Sequence, residues 1–180
     1  QFSSTPAFNF STDTLLNWGA VVGSQAFNGE SWRLFTAILM NTGLRQLVGN
    51  MCLLFLVAPF LISAMGSLPT AIIFVACGWI ANAAAAMTNP NAVFVGASGA
   101  VFGLYGALVS VFFAGRFERH SIADQKQLKF AIWLSVPLSL MMSSLPESVS
   151  IAAYLSGLFL GCLLGYSLTR KSLFRYYVFT

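Results

Sequence analysis

The chain has 180 residues, of which 57% are hydrophobic and only 8% charged, against roughly 25% charged in an ordinary soluble domain. That balance excludes a soluble globular protein and marks an integral membrane protein. The net charge of +4 comes from basic residues gathered in loops and tail, so it carries no sign of nucleic-acid binding.

Residues 1–43 mix Phe, Trp and Leu with Ser, Thr, Asn and Gly, and include Asp13, Glu30 and Arg33. They read as a structured loop outside the membrane. Ser11-Thr12-Asp13 is suited to cap a short helix through Leu15, Leu16 and Trp18, with the aromatic residues at the membrane interface. Gln1 is neither an initiator Met nor part of a secretory signal, so the chain is expected to be processed, trimmed or part of something longer. The sequon Asn9-Phe10-Ser11 is a pattern common enough by chance to carry little weight.

Between Arg45 and Arg116 there is no Asp, Glu, Lys or Arg. A hydrocarbon core of about 30 Å takes about 20 helical residues to cross, so this stretch has room for three spans. Met65-Gly66-Ser67-Leu68-Pro69 and Thr88-Asn89-Pro90-Asn91 supply the breaks, because Pro lacks a donor and Gly and Asn accept turn geometry. Two more uncharged stretches follow. The expected spans are 44–64, 69–88, 96–115, 129–145 and 150–169, with kinks at Pro59 and Pro137. The expected division is a loop at 1–43, a transmembrane core at 44–169 and a basic tail at 170–180.

Basic residues collect in cytoplasmic loops. Arg116, Arg119, Lys126 and Lys129 lie in one loop, and Arg170, Lys171 and Arg175 lie in the tail. An even number of spans separates them, so both belong on the cytoplasmic side. The first loop, the Asn89 turn and Pro146-Glu147 then face the exterior or periplasm, as does the end of the third span where Ser98 stands.

Cys52, Cys77 and Cys162 have no metal-ligand or CxxC spacing and read as small apolar residues in helix packing. No metal, phosphate loop or other cofactor site is visible. Gly99 and Gly103, and likewise Gly157, Gly161 and Gly165, recur every four residues, a spacing that lets membrane helices approach closely. Asn82 reads as a hydrogen-bonding amide between helices. Asn50 is open between that role and a functional one.

Trp32-Arg33-Leu34-Phe35-Thr36, Gly43-Leu44, Asn50-Met51, Gly96-Ala97-Ser98-Gly99-Ala100-Val101 and the last-span glycines, in this order, resemble the rhomboid family of intramembrane serine proteases. The resemblance covers residues 10–169. It implies an all-α, rhomboid-like bundle in which the five spans are the family's second to sixth helices, with the first helix missing from this chain. Trp32 and Arg33 would anchor the first loop against the membrane. By the same resemblance Ser98 is the nucleophile position, and the base histidine of the last helix falls on Tyr154, within Ala153-Tyr154-Leu155-Ser156-Gly157. The oxyanion-like positions fall on Gln46 and Asn50, with Gly96 beside them, and Asn41 stands where a further histidine is common.

Serine needs a base to take its proton, and histidine serves because its pKa lies near neutrality. A phenol, with a pKa of about 10, is protonated at neutral pH and does not replace it. The single histidine, His120, is expected at the far end of the third span. About 16 helical residues, or roughly 24 Å, separate it from Ser98, whereas a base must come within about 3 Å. Three departures together, at Asn41, Gln46 and Tyr154, point to natural divergence.

The expectation is therefore a pseudoprotease in a membrane, in the first instance the bacterial inner membrane. Its partners would be lipids, transmembrane segments of other proteins, or other subunits of a membrane complex. Ser98 would then be a small packing residue, or keep a polar role toward ligand or lipid. The alternative is an active rhomboid protease that cleaves single-span proteins with Ser98. A transporter is disfavoured, since transport paths usually carry intramembrane ionisable residues.

Overall fold

In a computed structural model the described residues are 10–114, the single helical positions 126, 130 and 133, and 150–178, with side chains described as far as 169. The expected span 129–145, Pro137, His120, Asn9 and the Pro146-Glu147 loop lie outside these residues, apart from the positions just named.

The first loop is built from three short helices: α1 (Thr12–Trp18), α2 (Gly23–Ala26) and α3 (Arg33–Leu39). The Ser11 hydroxyl accepts the Thr14 N–H at 3.3 Å, the N-cap that the sequence suggests. Gly19 ends α1 at φ 107°, and its N–H and that of Ala20 close back on Leu16 and Leu15. Arg33 then ties α3 to this helix end. Its guanidinium donates to the carbonyls of Leu16 at 2.8 Å and Ala20 at 3.3 Å, pairs with Glu30, and sits over the Trp32 ring. Cations at a helix C-terminus bind the last carbonyls. In this structure Arg33 thus braces the loop internally, while Trp32 stays half exposed.

Hydrogen bonds from a charged donor contribute about 1.5–3 kcal/mol, and the Glu30 pair adds little because Glu30 reaches solvent. Arg33→Ala is expected to destabilise the loop by about 2 kcal/mol. Faster amide exchange across α1 and α3 is the measurement. Arg33→Lys should not restore protection, because a single ammonium cannot hold the same fork.

Helix α4 (Leu44–Met65) and helix α5 (Ser67–Thr88) are 22 residues each, joined at Gly66 with φ 92°. The buried face of α4 carries Gln46, Asn50, Leu53, Val57 and Leu61, at the three- and four-residue steps of one helix face. The helix continues through Pro59. Helix α5 starts at Ser67, two residues before the expected Pro69. Proline is tolerated in a first turn, where the N–H has no intrahelical partner.

Between α1 and α2 lies β1 (Val21–Val22), which pairs antiparallel with β2 (Val93–Phe94), Val21 opposite Phe94. This ladder was not expected, and two residues are too few for an alternation signal. It fastens the first loop to the segment that enters the next helix. Asn82 adds a second tie, donating to the Leu34 carbonyl at 2.9 Å.

Helix α6 (Ser98–Phe113) and helix α7 (Ile151–Val178) are the remaining helices with described bounds. They run parallel: a methyl built at Gly157 would fall on the Gly99 carbonyl, one at Gly161 on the Gly103 carbonyl, and one at Gly165 within 3.0 Å of the Ala107 side chain. Across α6, the other neighbours of Gly99 and Gly103 are Ala81 and Cys77 of α5. The central core is Val57, Leu61, Ile73, Cys77, Leu104, Ala107, Leu108 and Val111.

Among the described residues three helices are long and apolar enough to cross a membrane, at Leu44–Met65, Ser67–Thr88 and Ile151–Thr169. Of the five expected spans, these three and the shorter apolar α6 fall among the described residues, and the span expected at 129–145 lies outside them. With 16 residues, α6 reaches about 24 Å at 1.5 Å per residue. It begins at Ser98, not at 96, because Gly96 is in a turn conformation. Helix α7 continues through Val178, past the expected end at 169.

Candidate functional site

The site forms where α6 begins. Gly96, at φ 133°, turns the chain out of β2, and its N–H donates to the Ala37 carbonyl at 2.9 Å. An added Cβ would lie 2.5 Å from the Gln46 amide nitrogen and 3.7 Å from Ser98 Oγ. Only glycine satisfies both the dihedral and the space there. Gln46, Gly96 and Ser98 are therefore brought together around one point.

Ser98 is the first residue of α6, half-buried, and the N-cap residue Ala97 supplies no side-chain cap. The parallel register of α6 and α7 places Tyr154 one turn before Gly157 and thus against Ser98. The phenol and the serine hydroxyl lie within interaction range of each other. The Tyr154 ring stacks on Phe102, centroids 4.5 Å apart and planes 11° apart. Sequence reasoning passed over Phe102, although it lies four residues after Ser98 and so on the same helix face.

The two amides on α4 are engaged with the protein. Gln46 Oε1 accepts the Thr42 N–H at 2.7 Å and hydroxyl at 2.9 Å, and Nε2 donates to the Val95 carbonyl at 3.3 Å. Asn50 Nδ2 donates to Asn41 Oδ1 at 2.8 Å. Asn50 is 1% exposed, and its Oδ1 has no partner. Each of these amide nitrogens donates to an oxygen of the protein itself.

The remaining site residues of the sequence reading sit elsewhere. Gly103, Gly161 and Gly165 lie along the α6–α7 seam, and Trp32 and Arg33 are in the first loop. No group of three metal-binding side chains occurs among the described residues. Chemically, this site offers a serine hydroxyl beside a phenol. It can exchange hydrogen bonds with a ligand, but no described side chain near Ser98 is a base at neutral pH.

A bundle of apolar helices with a Gly-x-Ser-Gly turn at the head of a glycine-lined helix defines a class of membrane protein. The Rhomboid domain model matches residues 28–171, and the chain belongs to the rhomboid family. It is 36% identical over 151 residues to the Bacillus subtilis protein named "Putative rhomboid protease YdcA", covering 83% of this chain and 73% of that one. It is 30% identical over 170 residues to RHOMBOID-like protein 7 of Arabidopsis thaliana, 93% of this chain and 53% of that one. Against Rhomboid protease GluP of Bacillus subtilis the identity is 29% over 154 residues, 86% of this chain and 30% of that one. The chain thus spans about three quarters of the first relative's length, about half of the second's and under a third of the third's.

Proposed function

We propose that this protein is a rhomboid core that does not carry out serine proteolysis and instead binds transmembrane segments of other proteins, as a recognition scaffold or as a subunit of a larger membrane complex. The observation that supports this reading is the position of the Tyr154 phenol beside Ser98, stacked on Phe102, where a base would have to stand. A phenol is protonated at neutral pH and does not take the serine proton. In this reading Ser98, Gln46, Asn50 and Gly96 form a polar recess at one end of the bundle, and Gly99, Gly103, Gly157, Gly161 and Gly165 hold the helices close. The core is 44–169, the first loop 1–43 is anchored by Trp32 and Arg33, and 170–180 is a basic cytoplasmic tail. The location is the inner membrane of a bacterium, with Ser98 toward the periplasm, supported by the basic residues at 116–129 and by the bacterial source of two relatives. No cofactor is required.

The competing reading is an active intramembrane serine protease. The retained Ser98 and the protease names of two relatives favour it. Binding and mass analysis in lipid nanodiscs separate the two. A fluorescent single-span peptide is expected to associate with the parent and with Ser98→Ala to the same extent and to be recovered intact. Recovery of two fragments from the parent alone would establish the protease.

A further inference from the structure

Helix α5 carries a concave apolar face away from Ser98. Phe35 of α3 and Ala71, Ile72, Val75, Ala76 and Trp79 of α5 line a groove of about 510 Å³. Ile72 and Val75 are exposed, so the groove opens toward the lipid around the bundle. The one polar side-chain atom among the six residues, Trp79 Nε1, is buried, which leaves a hydrocarbon lining. The Phe35 ring stacks on Trp79, centroids 5.9 Å apart and planes 30° apart, so the first loop bounds the groove at that end.

From Ala71 to Trp79 the groove follows about 12 Å of helix, close to half of a hydrocarbon core of about 30 Å. That is the depth of one leaflet. Toward the other end, about 6 Å before Ala71, α5 begins at Ser67, where Gly66 supplies no side-chain cap. Ser67 and Leu68 are exposed, and an uncapped helix start offers free N–H groups and partial positive charge.

We propose that this groove holds one acyl chain of a phospholipid, with the lipid phosphate at the start of α5 and the chain end against Phe35 and Trp79. Positive charge at one end and a hydrocarbon lining along the rest match the two parts of such a molecule. A protein partner would need a wider surface, since a stable interface uses roughly 20–30 residues a side and this groove has the six named above. Ala37 of the same helix α3 accepts the Gly96 N–H. The bound chain therefore braces the helix that holds the turn before Ser98.

The test uses the full chain in nanodiscs of phosphatidylcholine and phosphatidylglycerol that include a phosphatidylcholine with a diazirine near the end of one chain. Illumination expels nitrogen from the diazirine, and the resulting carbene inserts into a neighbouring C–H bond. Adducts mapped by mass spectrometry are expected to concentrate on Phe35, Val75 and Trp79, above the exposed Val48 and Phe55 of α4. Ala76→Trp and Ala71→Phe fill the groove with different side chains, and adducts on Phe35 and Val75 should then fall about tenfold. Val48→Trp, on α4, should leave them unchanged.

Thermal unfolding identifies any variant that loses its fold, and the comparison of α5 with α4 in the parent needs no variant. A diazirine diacylglycerol, which has the chain without the phosphate, should label the groove about threefold less. Equal labelling by the two probes overturns the placement of the phosphate. Adducts spread evenly over α4 and α5, or unchanged in the folded filling variants, overturn the proposal. Loss of the adducts on adding a single-span peptide that itself cross-links to Trp79 would give the groove to a transmembrane partner, and overturns it as well.

Discussion

Gly161→Leu is expected to cost at least about 3 kcal/mol and to leave little folded protein in detergent, because the new side chain has to occupy the space of the Gly103 carbonyl. Overpacking of a core costs about 1–3 kcal/mol when neighbours yield, and more when they do not. Here the neighbour is helix backbone. It cannot rotate aside, so α6 and α7 must separate along a seam that also holds Gly99 against Gly157 and Ala107 against Gly165. Gly29→Ala supplies the contrast. Gly29 has φ 105° and open space around its Cβ position, so only the dihedral penalty applies, about 1–2 kcal/mol. Thermal unfolding of the two variants beside the parent checks the difference. A Gly161→Leu protein as stable as Gly29→Ala would show that the seam is looser than this register requires.

Tyr154→His is the other large change, and it is a gain. An imidazole replaces the phenol on a ring position already set by the Phe102 stack, next to the Ser98 hydroxyl. General-base assistance contributes about 10² to 10⁴ in rate, so Ser98 phosphonylation by a fluorophosphonate is expected to rise about 10²-fold or more above the parent. Phe102→Ala in the same background should reduce that gain, since the ring loses the face that orients it. Cleavage of a single-span substrate should remain about 10²-fold short of a fully equipped site, because Gln46 and Asn50 stay tied to Thr42, Val95 and Asn41. A parent that labels as fast as Tyr154→His would contradict this account of the phenol.

Much of this architecture is written in short-range chemistry. The break at Gly66, the stop at Thr88 and the cap at Ser11 follow from turn and capping residues, and the structure places them within two residues of expectation. The glycine repeats announce close helix contact, and the structure adds what a repeat cannot carry, the partner and the parallel sense. The two-residue ladder between Val21 and Phe94 joins segments more than seventy positions apart and has no local signature. Pro69 misplaced the start of α5 because proline ends a helix but also fits within a first turn.

The site divides in the same way. Ser98 and Tyr154 were legible because each occupies a position in a short, ordered pattern, and Gly96 because its neighbours leave it little choice. Asn41 and Asn50 were visible as residues, but which amide atom faces which partner depends on two elements meeting in space. Arg33 carries contacts with no local signature: its guanidinium braces α1 because the Leu16 and Ala20 carbonyls at that helix end offer acceptors at bonding distance.

The most direct test of the central claim is incubation of the full chain with a single-span substrate in lipid, beside Ser98→Ala, with products counted by mass spectrometry. Loss of a triad member in serine proteases lowers rate by about 10⁴ to 10⁶, so the parent is predicted to give no more product than Ser98→Ala while still holding the intact substrate. Product from the parent that disappears in Ser98→Ala would show that the serine works without the base this account requires, and would make the protein a protease.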